Sequence, residues 1–166
     1  MRVLITGADG FVGPYVAIAV RQAFDDRVEI VATSRHQGQH ASLGKIAALD
    51  VTDAAAAKTV IAQYGPNFVI HLAGIAAPAL ANADWRMTWQ VHVQGTLNIA
   101  HAILEHAPRC ALLFAGSGQV YGANARSGRP MDEETVLDPI DEYSATKAAA
   151  DLALGALACN GLRAVR

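Results

Sequence analysis

The chain has 166 residues, of which 52% are hydrophobic and 17% are charged, a length and composition that suit one domain with a sizeable core. This composition argues against a disordered protein, and the net charge of -2 without a lysine or arginine cluster argues against nucleic acid as the main partner. No apolar run reaches the ~18 residues of a membrane span, and no signal-peptide pattern is present, so we expect a cytoplasmic protein without a membrane partner.

The predicted elements alternate between strands and helices along the chain. Apolar runs typical of buried strands cover residues 2–6, 28–33, 45–49, 68–72, 110–115 and 162–165. Helical spacing covers residues 11–24, a segment from the predicted N-cap Thr52 to Gly65, and residues 84–106 and 142–160. Residues 116–141 predict a long loop. Alternation of this kind predicts an α/β fold, a doubly wound parallel sheet of order 3-2-1-4-5-6 with helices on both faces.

The stretch GADGFVG, directly after the first predicted strand, places three glycines three residues apart. A glycine-rich turn between a strand and a helix cradles a phosphate. In this reading Gly7 allows the tight turn, Gly10 lets the backbone approach a pyrophosphate, and Gly13 brings the helix close to the strand. The helix N-terminus favours an anion, and Phe11 and Val12 lie in its predicted first turn. An ordinary glycine turn is the alternative.

The residues that follow the second predicted strand indicate which dinucleotide the glycine-rich turn would bind. A carboxylate at this point would bind the ribose hydroxyls of NAD, but the chain has Ser34 and Arg35. A guanidinium and a hydroxyl suit a 2′-phosphate, so NADP is the expected cofactor and NAD the alternative. An ordinary surface role for Arg35 stays open. We expect residues 1–166 to form a Rossmann-like dinucleotide-binding domain, truncated at its C-terminus because the chain stops inside the last predicted strand.

The stretch YSATK places Tyr143 and Lys147 four residues apart on a predicted helix, where they share one face. An ammonium group close to a phenol stabilises the phenolate and favours proton transfer near neutral pH. Such pairs also occur by chance on exposed helices. The two cysteines and the six histidines have no metal-ligand spacing that we consider significant, so we expect free thiols and no metal site.

Taken in order, GADGFVG, SGQVYG and YSATK resemble the extended short-chain dehydrogenase/reductase family, the NAD(P)-dependent sugar-nucleotide epimerases, dehydratases and reductases. The stretches LDVTD, HLAG and GTLNIAHA add to a resemblance that covers essentially the whole chain. It implies that Tyr143 is the general acid/base, that Lys147 holds the ribose hydroxyls, and that Ser117 bonds the reacting oxygen. Four further residues would border the cofactor: Asp50, Val51, Ala73 and Gly74. The resemblance also implies a homodimer formed through helices 84–106 and 142–160. It further implies a smaller C-terminal portion that holds the substrate, which we expect this chain to lack.

Two residues depart from the family pattern. His92 stands where the family has an asparagine that supports the active-site backbone. Gln119 stands where the dehydratases carry a glutamate base, and an amide does not accept a proton at ordinary pH. Gln119 therefore disfavours dehydration relative to reduction or epimerisation. The stretch ATSRH is most similar to GDP-4-keto-6-deoxymannose reductases and their GDP-mannose dehydratase relatives, so we expect a 4-keto sugar-nucleotide reductase. A 4-epimerase, a dehydratase and a cofactor-binding fragment without catalysis are the alternatives.

Overall fold

The structure is a computed structural model that describes residues 1–166, apart from the side chains of Asp26, Arg126 and Ser127. Seven strands form one sheet over these residues. They are β1 (Arg2–Thr6), β2 (Glu29–Ser34), β3 (Gly38–His40), β4 (Gly44–Ala48), β5 (Phe68–His71), β6 (Ala111–Phe114) and β7 (Arg163–Val165).

The helices lie between the strands in chain order. They are α1 (Gly13–Phe24), α2 (Ala54–Tyr64), α3 (Pro78–Ala83), α4 (Trp85–Trp89), α5 (Gly95–His106) and α6 (Glu142–Ala158). A π-turn at Gln90–Gln94 joins α4 to α5 with right-handed helical backbone at both of its ends. Short 3₁₀ segments occur at Asp25–Arg27 and Gly118–Ser127, and the second is kinked at Gly122.

The sheet order is β3-β4-β2-β1-β5-β6-β7. Without β3, this is the doubly wound order 3-2-1-4-5-6 predicted from the sequence, and the strand pairs from β4 to β7 are parallel. The additional strand β3 runs antiparallel to β4 at the edge of the sheet. The carboxyl ends of β2, β1, β5 and β6 therefore meet at one edge, where an open α/β sheet binds its ligands.

Several predicted boundaries were wrong. Helix α1 begins at Gly13 and not at residue 11, because residues 7–13 form the turn that precedes it. The N-cap of α2 is Asp53 and not Thr52, since the Asp53 carboxylate accepts the N–H groups of Ala55 and Ala56 at 2.8 and 3.0 Å. The predicted helix 84–106 contains the π-turn, and α6 ends at Ala158, two residues early.

The core lies on both faces of the sheet because neighbouring residues of β1 point to opposite sides. Val3 and Ile5 pack with Ala17 of α1, whereas Leu4 packs with the α2, α5 and α6 side, which includes Ile99. Beside α1, the face formed by β5, β6 and β7 leaves Phe68, Leu113 and Val165 42%, 44% and 64% exposed. These side chains help to line a cavity of about 250 Å³ that contains none of the candidate site residues.

Candidate active site

The turn between β1 and α1 is too compact for side chains at its glycines. Gly7 has φ +62°, and a Cβ atom there would lie 2.8 Å from both Cα and N of Ala73. A Cβ atom at Gly10 would lie 3.2 Å from the Gly7 carbonyl oxygen. At Gly13 it would lie 2.0 Å from the carbonyl oxygen of Ala8, so glycine at this position lets the start of α1 pack against the backbone two residues after β1. The turn fits the phosphate cradle expected from its sequence.

Helix α1 presents its N-terminus to this turn. Val12 is the N-cap residue, Phe11 precedes it, and both side chains are exposed. The first turn contains no acidic residue among the described side chains, so no carboxylate of the helix itself offsets the positive end of its dipole. This end of the helix and the glycine turn together provide the surroundings that a pyrophosphate requires.

The ends of β2 and β4 lie side by side next to the glycine turn. Ser34 is buried at the last position of β2, and Arg35, which follows it, is exposed. Asp50 accepts the Thr52 N–H at 2.9 Å and the Thr52 hydroxyl at 2.7 Å. These hydrogen bonds, with a smaller contribution from the Arg35 guanidinium, lower the pKa of Asp50. The predicted adenosine-side residues are therefore neighbours in space.

Helix α5 holds the segment that follows Asp50. The side-chain amide of Asn98 donates to the carbonyl oxygens of Val51 and Thr52 at 2.9 and 3.2 Å. The helix approaches closely because it has glycine at position 95, where a Cβ atom would lie 2.7 Å from Cγ2 of Val51. Val51 is consequently fixed by a helix that starts more than forty residues later in the chain.

A buried hydrogen-bond chain runs from the end of β1 to the π-turn. The Thr6 hydroxyl accepts the Ala73 N–H at 3.2 Å and lies 2.7 Å from Nδ1 of His71. On the other side, Nε2 of His71 lies 3.1 Å from the Thr96 hydroxyl, which donates to the His92 carbonyl oxygen at 2.6 Å. Since Thr96 uses its proton on that carbonyl, His71 carries its own proton on Nε2 and accepts from Thr6 on Nδ1.

His92 connects the segment after β5 to helix α6. Its Nε2 accepts the Ile75 N–H at 2.9 Å, so the proton is on Nδ1, which donates to the Thr146 hydroxyl at 2.9 Å. The Thr146 hydroxyl donates in turn to the Tyr143 carbonyl oxygen at 2.8 Å. The His92 ring also meets the Tyr143 ring edge-on at 5.7 Å and would lie 3.4 Å from a Cβ atom at Gly74. The backbone support expected to be altered at this position is therefore supplied by an imidazole.

Tyr143 and Lys147 lie in the first two turns of α6 and are 8% and 7% exposed. The Lys147 ammonium donates to the carbonyl oxygen of Ala115 at 2.9 Å, just after β6, and burial lowers the pKa of Lys147 to about 8. Ser117 follows two residues later, and its hydroxyl oxygen accepts the Gln119 N–H at 3.2 Å. Lys147 thus joins the helix of Tyr143 to the segment of Ser117.

The two buried histidines make the stability of the fold sensitive to acid. Burial, aided by the charge of Lys147, lowers the pKa of His71 to about 3 and that of His92 to about 4, from 6.5. Because the unfolded chain binds more protons below about pH 6.5, stability is fully present above that pH and lost as the pH falls towards 4. We expect the free energy of unfolding to fall by about 1.4 kcal/mol per pH unit for each histidine.

Urea titrations between pH 4.5 and 7.5 measure this slope. His92→Asn is expected to remove about half of the acid-dependent loss. The matched control is His101→Gln, which replaces an exposed histidine and should leave the slope unchanged. An unchanged slope in His92→Asn would contradict the contribution assigned to this imidazole.

The described part of the chain contains no group of three or more His, Cys, Asp or Glu side chains that is arranged to hold a metal ion. None of its helices is both long enough and apolar enough to span a membrane. The two thiols are free: Cys110 is buried, which raises its pKa to about 11, and Cys159 is exposed.

Residues 3–165 match the model of the NAD dependent epimerase/dehydratase family, and the chain belongs to this family. It is 32% identical over 160 residues to dTDP-glucose 4,6-dehydratase from Mycolicibacterium smegmatis, a match that covers 92% of this chain and 47% of the relative. It is also 36% identical over 86 residues to GDP-6-deoxy-D-mannose reductase from Pseudomonas aeruginosa, covering 52% of this chain and 28% of that protein.

Among solved structures, the chain resembles RMD from Pseudomonas aeruginosa complexed with NADPH. The TM-score is 0.75 and the sequence identity 28%, over 98% of this chain and 50% of that one. The chain therefore spans about half the length of the mycobacterial relative and of this neighbour. The likeness supports the doubly wound fold.

Proposed function

We propose that the chain is the dinucleotide-binding domain of an NADPH-dependent reductase that acts on a 4-keto sugar nucleotide. The observation that carries this proposal is the position of Lys147. Lys147 lies one helical turn after Tyr143 on α6. Its ammonium donates to the carbonyl oxygen of Ala115, which comes just after β6 and two residues before Ser117. A phenol, an ammonium and a hydroxyl are thus provided at the sheet edge that also holds the glycine turn.

The residues present fit a nicotinamide dinucleotide because the glycine turn leaves room only for backbone. The turn and the N-terminus of α1 would bind the pyrophosphate, Ser34 and Arg35 the 2′-phosphate, and Asp50 and Val51 the adenine. The nicotinamide end of the cofactor would be bordered by four other residues: Ala73, Gly74, Tyr143 and Lys147. When bound, the reduced nicotinamide supplies the hydride.

In the proposed reduction, Tyr143 donates its phenolic proton to the carbonyl oxygen of the substrate, which becomes a hydroxyl group. Ser117 donates a hydrogen bond to the same oxygen and orients it. The phenolate left on Tyr143 is stabilised by the Lys147 ammonium, which the Ala115 carbonyl oxygen holds at 2.9 Å. Because the pKa of Lys147 is about 8, this ammonium stays mostly protonated at neutral pH.

A 4-epimerase is the second candidate, since removal and return of a proton at one oxygen needs the same phenol. A dehydratase is less well supported, although the family includes such enzymes. Residue 119 is a glutamine, which does not act as a base. A domain that binds the cofactor without catalysis is the remaining alternative.

Turnover by the complete gene product tests the proposal. We expect NADPH to be oxidised when a nucleotide-linked 4-keto-6-deoxy sugar is added, with formation of the 4-hydroxy sugar. Inversion at C4 without net consumption of NADPH would identify the epimerase instead. A folded, NADPH-bound protein that converts none of these substrates would contradict the enzymatic proposal.

The cofactor preference is tested by Arg35→Ala. A charge-assisted hydrogen bond contributes about 1.5–3 kcal/mol, so the Kd for NADPH is expected to rise by about 10–150-fold while the Kd for NADH stays the same. Calorimetry measures both constants. Arg109→Ala is the control, since Arg109 is exposed and precedes β6, away from the glycine turn. Equal affinities for the two cofactors, unchanged by Arg35→Ala, would contradict the NADP assignment.

We also propose that the protein is a homodimer formed through the α4–α5 and α6 helices. Large apolar side chains are exposed on both parts of this surface: Trp85 and Met87 of α4 are 46% and 43% exposed, and Leu152 of α6 is 62% exposed, which supports the proposed contact. Residues 1–166 would contribute both helices of each subunit to this contact.

A further inference from the structure

Tyr143 lies at a point where helices are easily distorted. It is the second residue of α6, and residues 128–141 before it form no regular helix or strand. The first four N–H groups of an α-helix have no partner within the helix, so the first turn frays unless other groups bind them. The position of the phenol therefore depends on what holds this turn.

Asn82 of α3 binds this first turn with both ends of its side-chain amide. Its Oδ1 accepts the Tyr143 N–H at 2.9 Å, and its Nδ2 donates to Oδ2 of Asp141 at 3.1 Å. Asp141 is the N-cap of α6, and its Oδ1 accepts the Ser144 N–H at 2.8 Å. Hydrogen bonds from Ser144, with a smaller one from Asn82, lower the pKa of Asp141, so the cap stays ionised.

Asn82 is itself held by buried neighbours. Ala81 is fully buried, and so is Thr88 of α4, whose hydroxyl lies 2.8 Å from the carbonyl oxygens of both Ala81 and Asp84. These contacts hold α3 against α4, and the exposed side chain of Asn82 reaches α6 from this short helix. The bond from Asn82 to Tyr143 joins residues 61 positions apart in the chain.

We propose that Asn82 is a positioning residue that sets the place of Tyr143 by binding both its backbone N–H and the N-cap carboxylate of its helix. The proposal rests on the reductase function given above. Asn82 acts through Tyr143 and Asp141, not on the cofactor or the substrate. Since Asp141 and Ser144 cap the helix without Asn82, α6 still forms when the amide is removed, and only the first turn loosens.

Asn82→Ala tests the proposal, with Asn160→Ala as a matched control. The Asn160 amide also bonds to backbone, donating to the Ala156 carbonyl oxygen at 2.9 Å, but at the opposite end of the same helix region. In Asn82→Ala we expect kcat to fall about 10-fold, since small displacements of a reacting group are costly. The KM for the sugar nucleotide and the Kd for NADPH should change less than about 2-fold.

Hydrogen exchange of the Tyr143 amide provides a readout that does not depend on turnover. Exchange of this amide should accelerate about 10-fold in Asn82→Ala and stay unchanged in Asn160→Ala. In the double variant Asn82→Asp with Asp141→Asn, the amide and the carboxylate swap positions, and residue 82 still provides an acceptor for the Tyr143 N–H. It should recover kcat to within about 3-fold of wild type, whereas Asn82→Asp alone places two carboxylates together and should not.

The outcomes separate this inference from the proposed function. If the wild-type protein shows no turnover, the reductase proposal is refuted. Hydrogen exchange of the Tyr143 amide then tests whether Asn82 holds the first turn of α6. Wild-type turnover with unchanged kcat in Asn82→Ala, or unchanged exchange of the Tyr143 amide, overturns the inference. Equal losses in Asn82→Ala and Asn160→Ala would also overturn it, because they would reflect general destabilisation of the helix.

Discussion

Tyr143→Phe is expected to lower kcat by about 10²–10⁴-fold, the contribution of a general acid or base. The substitution removes only the hydroxyl group, so the ring still packs edge-on against His92 at 5.7 Å and α6 keeps its position. We therefore expect the Kd for NADPH to change less than about 3-fold, because the cofactor contacts proposed for the glycine turn and Lys147 would remain. Single-turnover oxidation of bound NADPH measures the chemical step.

Tyr64→Phe is the matched control for this prediction. Tyr64 ends α2 and is half-buried against the main core, so it loses the same hydroxyl group away from the sheet edge that holds the site. Its kcat should equal that of the wild type. A loss below about 10-fold in Tyr143→Phe would remove this phenol as the proton donor, and a similar loss in Tyr64→Phe would indicate a general effect of the substitution.

Gly13→Ala is expected to destabilise the protein and abolish cofactor binding. The new methyl group would lie 2.0 Å from the Ala8 carbonyl oxygen, far inside van der Waals contact, so the turn or α1 must move. Overpacking of this kind costs on the order of 3 kcal/mol. Because the displaced atoms belong to the proposed phosphate-binding turn, we expect the Kd for NADPH to rise beyond measurement while the rest of the domain stays folded.

The sign of this effect is informative because helix propensity predicts the opposite result. Within a helix, alanine is about 1 kcal/mol more favourable than glycine. Gly38→Ala is the control, since a Cβ atom at Gly38 has no neighbour within 4 Å and its φ is not positive. Urea unfolding should show a change below about 0.5 kcal/mol in Gly38→Ala. A neutral or stabilising Gly13→Ala would contradict the close packing described at this turn.

Local patterns in the sequence were sufficient to predict most of the sheet. Apolar runs separated by helical spacing predicted the parallel strands and their order, because a chain with this alternation has few ways to pack. Strand β3 was missed, since its three residues, Gly38–His40, lack an apolar pattern and pair only through the adjacent β4. The π-turn was missed because its apolar residues fit regular helical spacing about as well.

Candidate site residues could be proposed from the sequence where they are close together in the chain. The glycine turn, and the pair of Tyr143 and Lys147, occur within short stretches whose spacing has a physical meaning. The supporting residues could not be found in this way. Asn98 reaches Val51 across 47 positions, and Asn82 reaches Tyr143 across 61, so each resembles an ordinary polar helix residue until the fold is known.

The π-turn at Gln90–Gln94 also restricts how the length of the chain can change. A π-turn holds one more residue than an α-helical turn, and each residue of an α-helix rotates its successors by about 100°. Deletion of one residue there would regularise the hydrogen bonding but turn α3 and α4 out of phase with α5. His92 accepts a hydrogen bond from Ile75, whereas Asn98 donates one to Val51, so a change in chain length between them would break one of these contacts. We therefore expect the segment to tolerate substitution of side chains more readily than insertion or deletion.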